Sequence, residues 1–393
     1  MADAITRVGD LLDVADGHVY FDVSPLIEQQ WTGIPVAAAG LAAALSERLP
    51  ARTRFFLDLQ TVHEAAVRDA LQRNTGVFLQ RDIATGTAIS GKLTALGAGG
   101  PTIGIFPSVK RIRRAFDVEC SVFHDLSTLV MPQFHTRATV EHHMAAMVAD
   151  IESNDLIVAV SSASGADLAA YFGVPEERIA IAPNGVSWPD WYKIAAENSF
   201  DPNAIEPYFL ILGTREPRKN VLLVFELLER APQLMATHRF VFAGRMGWLE
   251  EQHALPPSLE PAVKSGKIMF TGFVSDFQKY KLLAGAEATL YPSLFEGFGL
   301  PVLESLSAGT PCVASFSSSI PEVGGDLCCY FDPLSAEDFF RAIRDMKSKR
   351  ATEGAALRAA CRARAARFTW NAALTQIFLR LERVMGARAT RGA

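Results

Sequence analysis

Apolar positions along this chain alternate between short solid runs and longer stretches in which they recur every third or fourth residue. The run at 19–23, VYFDV, reads as a buried strand, and 33–49, rich in Ala and Leu, as the helix after it. Residues 54–57 read as a second strand and 61–73 as a helix. Residues 74–100, weakly patterned and rich in Thr and Gly, read as loop and short helix. Further strands are expected at 120–123, 156–160 and 179–181, with a helix from about 164 to 172. Pro183-Asn184-Gly185 is a turn signal. Residues 187–206, which hold Trp188, Pro189, Pro202 and Asn203, read as a linker. The alternation then restarts, with strands at 208–212, 239–243, 268–270, 288–291 and 311–315 and helices at 220–230, 302–308, 336–347 and from 351 to the end.

Strands alternating with helices imply parallel sheets, and two such series imply two doubly wound α/β domains. Ligands are then expected at the carboxyl ends of the strands, in the crevice between the domains. The 393 residues suit two domains, here divided as 1–195 and 196–370. Composition excludes several function classes. Apolar residues make up 49% and charged residues 21%, and the net charge of −5 gives no basic field for nucleic acid. The five cysteines, Cys120, Cys312, Cys328, Cys329 and Cys361, form no CxxC pair and read as thiols in a reducing cytosol. The start, Met-Ala-Asp-Ala, lacks a basic-then-apolar leader, and no apolar run is long enough to span a bilayer, so a cytoplasmic location is expected. The chain has no GxGxxG after a strand, no GxxxxGK[ST], no Asp-x-Asp and no zinc spacing among His and Cys. Neither a bound cofactor nor a metal is expected.

Candidate chemistry concentrates in 290–315, LYPSLFEGFGLPVLESLSAGTPCVAS. A strand ends near Tyr291, a loop carries Glu296-Gly297-Phe298-Gly299, and Pro301 suits the first turn of a helix. A glycine-bearing loop feeding a helix start presents backbone N–H groups and positive dipole charge, which favour a phosphate. Glu296 and Glu304 flank that anion site, an odd place for two carboxylates unless they bind hydroxyls, as a sugar and a ribose would supply. Upstream, Gly213-Thr214-Arg215-Glu216-Pro217-Arg218-Lys219-Asn220 also follows a strand and opens a helix, with Arg218 and Lys219 as cations able to neutralise a leaving diphosphate without a metal.

The spacing of Glu296 and Glu304 in FEGFGLPVLE resembles the paired-glutamate motif of retaining glycosyltransferase family 4, and the resemblance runs over nearly the whole chain. It implies the GT-B fold, two Rossmann-like doubly wound domains facing each other across a cleft. The final helix, about 371–393, would pack back onto the first domain. It also implies that Glu296 contacts donor-sugar hydroxyls, that Glu304 contacts the ribose diol, and that amides at Phe298, Gly299 and Leu300 face the sugar or diphosphate. Thr214 departs from the pattern, since many members carry Arg directly after the glycine; that leaves the arginine's role to Arg218 or Arg215. The segment FTGFVSD is similar to the family's base-binding segment, with Phe273 and Val274 as contacts and Ser275 also suited to cap a helix. Gly33, in Thr32-Gly33-Ile34, resembles a glycine loop near the diphosphate. His124, at a strand end, corresponds to a histidine near the transferred sugar and acceptor. Ser164, in a segment similar to the family's VS-x-x-S string, reads as a helix N-cap rather than a ligand.

The resemblance implies a hexosyl transfer from a nucleotide-diphosphate sugar to a glycan or lipid-linked glycan in polysaccharide synthesis. The EPRKN string resembles bacterial polysaccharide mannosyltransferases, which makes GDP-mannose the expected donor; UDP-glucose, dTDP-rhamnose and other GDP-hexoses stay open. The alternatives are another GT-B enzyme, such as a nucleotide-sugar epimerase or a phosphorylase, and a non-catalytic nucleotide-sugar-binding protein. Lys110, Arg111, Arg113 and Arg114 form a basic run that reads either as a solvated face or as a peripheral contact with an anionic membrane carrying the acceptor.

Overall fold

The computed structural model describes residues 3–93, 99–199 and 206–391. The chain divides into two compact units. The first comprises Met1–Leu126, Glu141–Gly185 and Phe368–Ala393; the second comprises Ser127–Val140 and Val186–Arg367.

The first unit holds strands β1 (His18–Asp22), β2 (Thr53–Leu57), β3 (Gln60–Val62), β4 (Ile89–Lys92), β5 (Thr102–Phe106), β6 (Val118–Phe123), β7 (Leu156–Ala159) and β8 (Ile179–Ile181). Their order is β4-β3-β2-β1-β5-β6-β7-β8. Strands β2, β1, β5, β6, β7 and β8 pair in parallel. Strands β5, β6 and β7 are buried at every position, as expected where helices cover both faces. Tyr20, Phe56, Phe106 and Phe116 form one packed aromatic cluster. Strands β3 and β4 are antiparallel, unlike the all-parallel expectation. Leu57 pairs with Gln60, so only Asp58 and Leu59 turn the chain, and Asp58 takes φ 52° to do it. The helix expected from 61 therefore begins at Glu64.

The second unit holds β9 (Tyr208–Leu212), β10 (Arg239–Ala243), β11 (Ile268–Gly272), β12 (Ala288–Tyr291), β13 (Cys312–Ser315) and β14 (Cys328–Phe331), in the order β11-β10-β9-β12-β13-β14. All five pairings are parallel. The chain moves outward from β9 to β11, then returns to the other side of β9 with β12. The loops after β9 and β12 thus leave their shared edge in opposite directions and open a crevice at the carboxyl ends of the strands.

The stretch expected to be a linker contains the helix Asp190–Ser199. Trp188 and Tyr192 pack on the core cluster of Tyr208, Leu210, Val241 and Tyr280, and the Trp188 indole N–H donates to Ser307 Oγ at 2.7 Å. These contacts move the division from 195/196 to the end of Gly185. Pro202 and Asn203 lie outside the described residues. Ser127–Val140 groups with the second unit because Trp248 Nε1 donates to Phe134 O at 2.8 Å and the Trp248 and His135 rings stack at 6.1 Å. The helix Trp370–Arg391 groups with the first unit. Its buried Ala373, Leu374, Ile377, Phe378 and Leu381 make one apolar stripe, and Arg7 donates twice to Glu382, at 2.7 and 2.8 Å.

Candidate functional site

The crevice between β9 and β12 is laced together by backbone and amide contacts. After β9 the chain runs through Gly213 and a short turn, Pro217–Lys219, to Asn220, whose φ of 56° suits its short polar side chain. That side chain donates to Pro292 O at 3.1 Å and Pro333 O at 2.8 Å, and Leu294 N donates to Arg218 O at 2.9 Å. The loops after β9 and β12 are thereby held in register, and their charged side chains meet.

Lys219 Nζ donates to Glu296 Oε1 at 2.6 Å and to the Tyr291 hydroxyl at 3.0 Å. Arg218 Nη1 lies 3.0 Å from Glu296 Oε2 and donates to Phe295 O at 2.6 Å, while Nη2 donates to Glu216 Oε1 at 2.7 Å. Both oxygens of Glu296 therefore face a cation. Burial, the largest influence on this carboxyl, would raise its pKa; the charges of Arg218 and Lys219 and the Lys219 hydrogen bond overcome it and hold it at about 2. Glu296 is ionised across the physiological range. Its main-chain carbonyl accepts from Ser318 Oγ at 2.7 Å and Ser319 Oγ at 2.8 Å, so the loop is fastened from two sides.

Gly299 caps the helix Leu300–Ser307 with φ 97°, a backbone conformation that an L side chain would strain. Pro301 occupies the first turn, where its missing N–H costs nothing. The N–H groups of Gly299 and Leu300 donate to no group among the described residues. Phe298 is buried beneath the loop. Glu304, farther along this helix, meets Lys279 Nζ at 2.6 Å through Oε1, and Lys279 also lies 3.2 Å from Asp276 Oδ1. Burial draws the Lys279 pKa down, but two carboxylates outweigh it and raise the value. Burial lifts the Glu304 carboxyl above its usual value, because one lysine offsets only part of that cost and Asp276 adds repulsion.

Thr214 lines a depression with Gly213, Arg215, Lys219, Tyr291 and Ser293. Arg215 sits 4.4 Å over the Phe270 ring, and its Nε is buried without a hydrogen-bond partner. Arg218 is engaged through its Nη atoms by Glu216, Glu296 and Phe295 O, whereas Arg215 meets the Phe270 ring; an unmet Nε is common to both arginines and does not decide which takes the role vacated at Thr214. Phe273, at the end of β11, is exposed, whereas Val274 packs on the core. Ser275 caps the helix Asp276–Gly285 in a reciprocal box with Gln278. Sequence reading did not find Glu216, Tyr291 or Lys279. Only the Asp276/Lys279 spacing on a capped helix hints at a local pair; nothing in the sequence ties Lys279 to Glu304.

The first unit holds the other candidates. Gly33 caps the helix Ile34–Arg48 with φ 57°. His124, just past β6, has Nε2 2.7 Å from Pro107 O, so Nε2 carries the proton and Nδ1 is the free acceptor. Burial pushes its pKa below the usual histidine value against that hydrogen bond, and the ring is neutral at pH 7. The cap of the helix Ser162–Phe172 is Ser161, not Ser164: Ser161 Oγ accepts from Ser164 N at 3.0 Å. The basic run is also corrected. The Lys110 side chain is fully buried on Glu119, and Arg113 donates to the buried Asp150 at 2.7 Å. Arg111 faces Asp58 at 3.2 Å, and Arg114 takes φ 56°. Lys110 is thus consumed inside the unit and Arg113 is tied to it, while Arg111, Arg113 and Arg114 remain exposed. Among the described residues no helix is long and apolar enough to cross a membrane, and no group of three or more His, Cys, Asp or Glu could hold a metal ion.

Residues 195–368, the span that carries this crevice, match the family model of glycosyl transferases group 1. The chain is a glycosyltransferase. The O-antigen chain mannosyltransferase B of Escherichia coli is 29% identical over 275 residues, 65% of this glycosyltransferase and 68% of the relative. The serotype-specific mannosyltransferase WbdA of Escherichia coli is 26% identical over 232 residues, covering 57% of this chain and only 28% of its own length. Among solved structures, the sucrose-phosphate synthase of Thermosynechococcus elongatus aligns with TM-score 0.67 at 16% identity, over 94% of this chain and all of that one. The glycosyltransferase has the GT-B fold.

Proposed function

We propose that this glycosyltransferase moves a mannosyl group from GDP-mannose, with retention at the anomeric carbon, onto a glycan or lipid-linked glycan in polysaccharide synthesis. The observation that carries the donor site is the convergence of Lys219, Glu296 and the unpaired N–H groups of Gly299 and Leu300 at the β9/β12 crevice. The likeness to two mannosyltransferases supports the sugar. Lys219 and the helix start take the diphosphate, Arg215 adds charge beside them, and Arg218 clamps Glu296. Glu296 accepts from sugar hydroxyls and Glu304 from the ribose diol. Thr214, Phe273 and Val274 lie on the nucleotide side, and Gly33 and His124 serve the diphosphate and the acceptor. No metal takes part.

In the transfer, the bond between C1 and the diphosphate oxygen breaks and the diphosphate keeps the electron pair. The acceptor oxygen bonds C1 on the same face, and its proton passes to the departing phosphate oxygen. Fixed cations and N–H groups stabilise the developing charge. A double displacement needs a carboxylate lone pair aimed at C1. Glu296, with both oxygens on cations, is poorly placed to supply one, which supports the same-face route. The test is turnover of GDP-mannose on a mannose-terminated acceptor, with product anomer read by NMR. Consumption of UDP-glucose or dTDP-rhamnose instead would overturn the donor, and a β-linked product the stereochemistry.

A further inference from the structure

We propose that Lys279 is a positioning residue for the donor: it holds Glu304 by one carboxylate oxygen and so presents the other to the two ribose hydroxyls of the nucleotide. This rests on the reading of Glu304 given above and adds to it a residue from a different element. Glu304 Oε1 is taken by Lys279, and Oε2 accepts from no group among the described residues.

The lysine itself has little freedom. Asp276 faces it at 3.2 Å, and the Trp188 ring lies 5.0 Å from Nζ. Trp188 is anchored in turn by Ser307 Oγ, and that hydroxyl donates to the Glu304 carbonyl at 2.6 Å. The capping box of Ser275 and Gln278 fixes the first turn from which Lys279 projects. Lys279 and Glu304 side chains are 13% and 10% exposed, too dry for a solvated surface pair. A carboxylate held at one oxygen keeps its plane, and a fixed plane is what two neighbouring hydroxyls require. Removing one partner of a buried ion pair lowers stability whatever the pair's role. Donor KM, which a purely structural pair would leave unchanged, separates the two roles.

The experiment measures donor KM and kcat for Lys279→Met, Lys279→Arg, Glu304→Gln and the double variant Lys279→Met/Glu304→Gln, with thermal midpoints alongside. Lys279→Met is expected to raise donor KM ~10-fold, the loss of one charge-assisted contact, with kcat within about twofold. Lys279→Arg restores most of the affinity. The double variant is no weaker than Glu304→Gln, since both act through one carboxylate. If Lys279→Met lowers the midpoint sharply, Lys279→Gln carries the same expectation. Wild-type donor KM in Lys279→Met, or additive effects in the double variant, would overturn the positioning role while Glu304→Gln still weakens the donor. An unchanged KM in Glu304→Gln would overturn the ribose reading itself and the inference with it.

Discussion

Glu296 and Glu304 leave the same loop and helix, yet they sit in opposite electrostatic settings. Glu296 is one acid against two cations, and its charge is secure down to about pH 2. Glu304 shares one lysine with Asp276, and burial raises its pKa. Equal sequence signals thus become unequal groups. The first is a permanently charged anchor whose lone pairs are organised by Lys219 and Arg218. The second is an acceptor with one oxygen unmet, whose charge depends on a single neighbour.

Removing Lys219 should have the largest effect. Lys219→Ala takes away one half of the Glu296 anchor and the charge proposed to face the leaving group, so kcat should fall ~10²–10³-fold in steady-state assays. Equal rates would remove the distinction between the two acids. Glu296→Ala takes the shared carboxylate from two nearly dry cations, Arg218 and Lys219, and should destabilise the second unit by about 3–5 kcal/mol in denaturant unfolding. Glu304→Gln, which loses one partner of a single pair, should cost less in unfolding and show mainly as a higher donor KM. Lys110→Ala is the control. It breaks a drier pair, Lys110–Glu119, and should destabilise the first unit by about 3–5 kcal/mol while leaving donor KM within about twofold.

The smallest effect is in pH dependence. The role proposed for Glu304 requires its ionised form, and its pKa is raised, so donor KM should rise on acidification before an ordinary carboxylate would protonate. The groups facing it are Lys279 and Asp276; Arg358 and Arg362 reach only the carbonyls of Ala284 and Ala308. Glu304→Gln should flatten that profile. Glu296 behaves the other way for stability. Its depressed pKa contributes stability that is complete above the usual carboxylate value of 4.5 and lost as pH falls through about 2, below the range where Glu304 responds.

The sequence made the architecture legible wherever solid apolar runs marked buried parallel strands, as at β1, β9, β10 and β12. It misled where a local turn decided. Asp58 reverses the chain in two residues and creates an antiparallel edge. The Pro- and Trp-bearing stretch after Gly185 became a helix because Trp188 and Tyr192 found a core to join. In the crevice, Lys219, Arg218 and Glu296 were readable because they lie on loops after adjacent parallel strands, which topology brings together. The Lys279–Glu304 and Lys219–Tyr291 contacts were not, since their partners lie on other elements and no local spacing encodes the encounter, and Glu216, though only two residues from Arg218, carries no signal that sets it apart from a solvated loop acid. Two members of the basic run were misread in the same way: the charges of Lys110 and Arg113 looked free only until Glu119 and Asp150 were in place.

A crystal structure of the enzyme with GDP bound tests the account most directly. The diphosphate should lie within hydrogen-bonding distance of Lys219 Nζ and the N–H groups of Gly299 and Leu300, with a ribose hydroxyl on Glu304 Oε2. A nucleotide bound away from the loops after β9 and β12, or a ribose out of reach of Glu304, would contradict it.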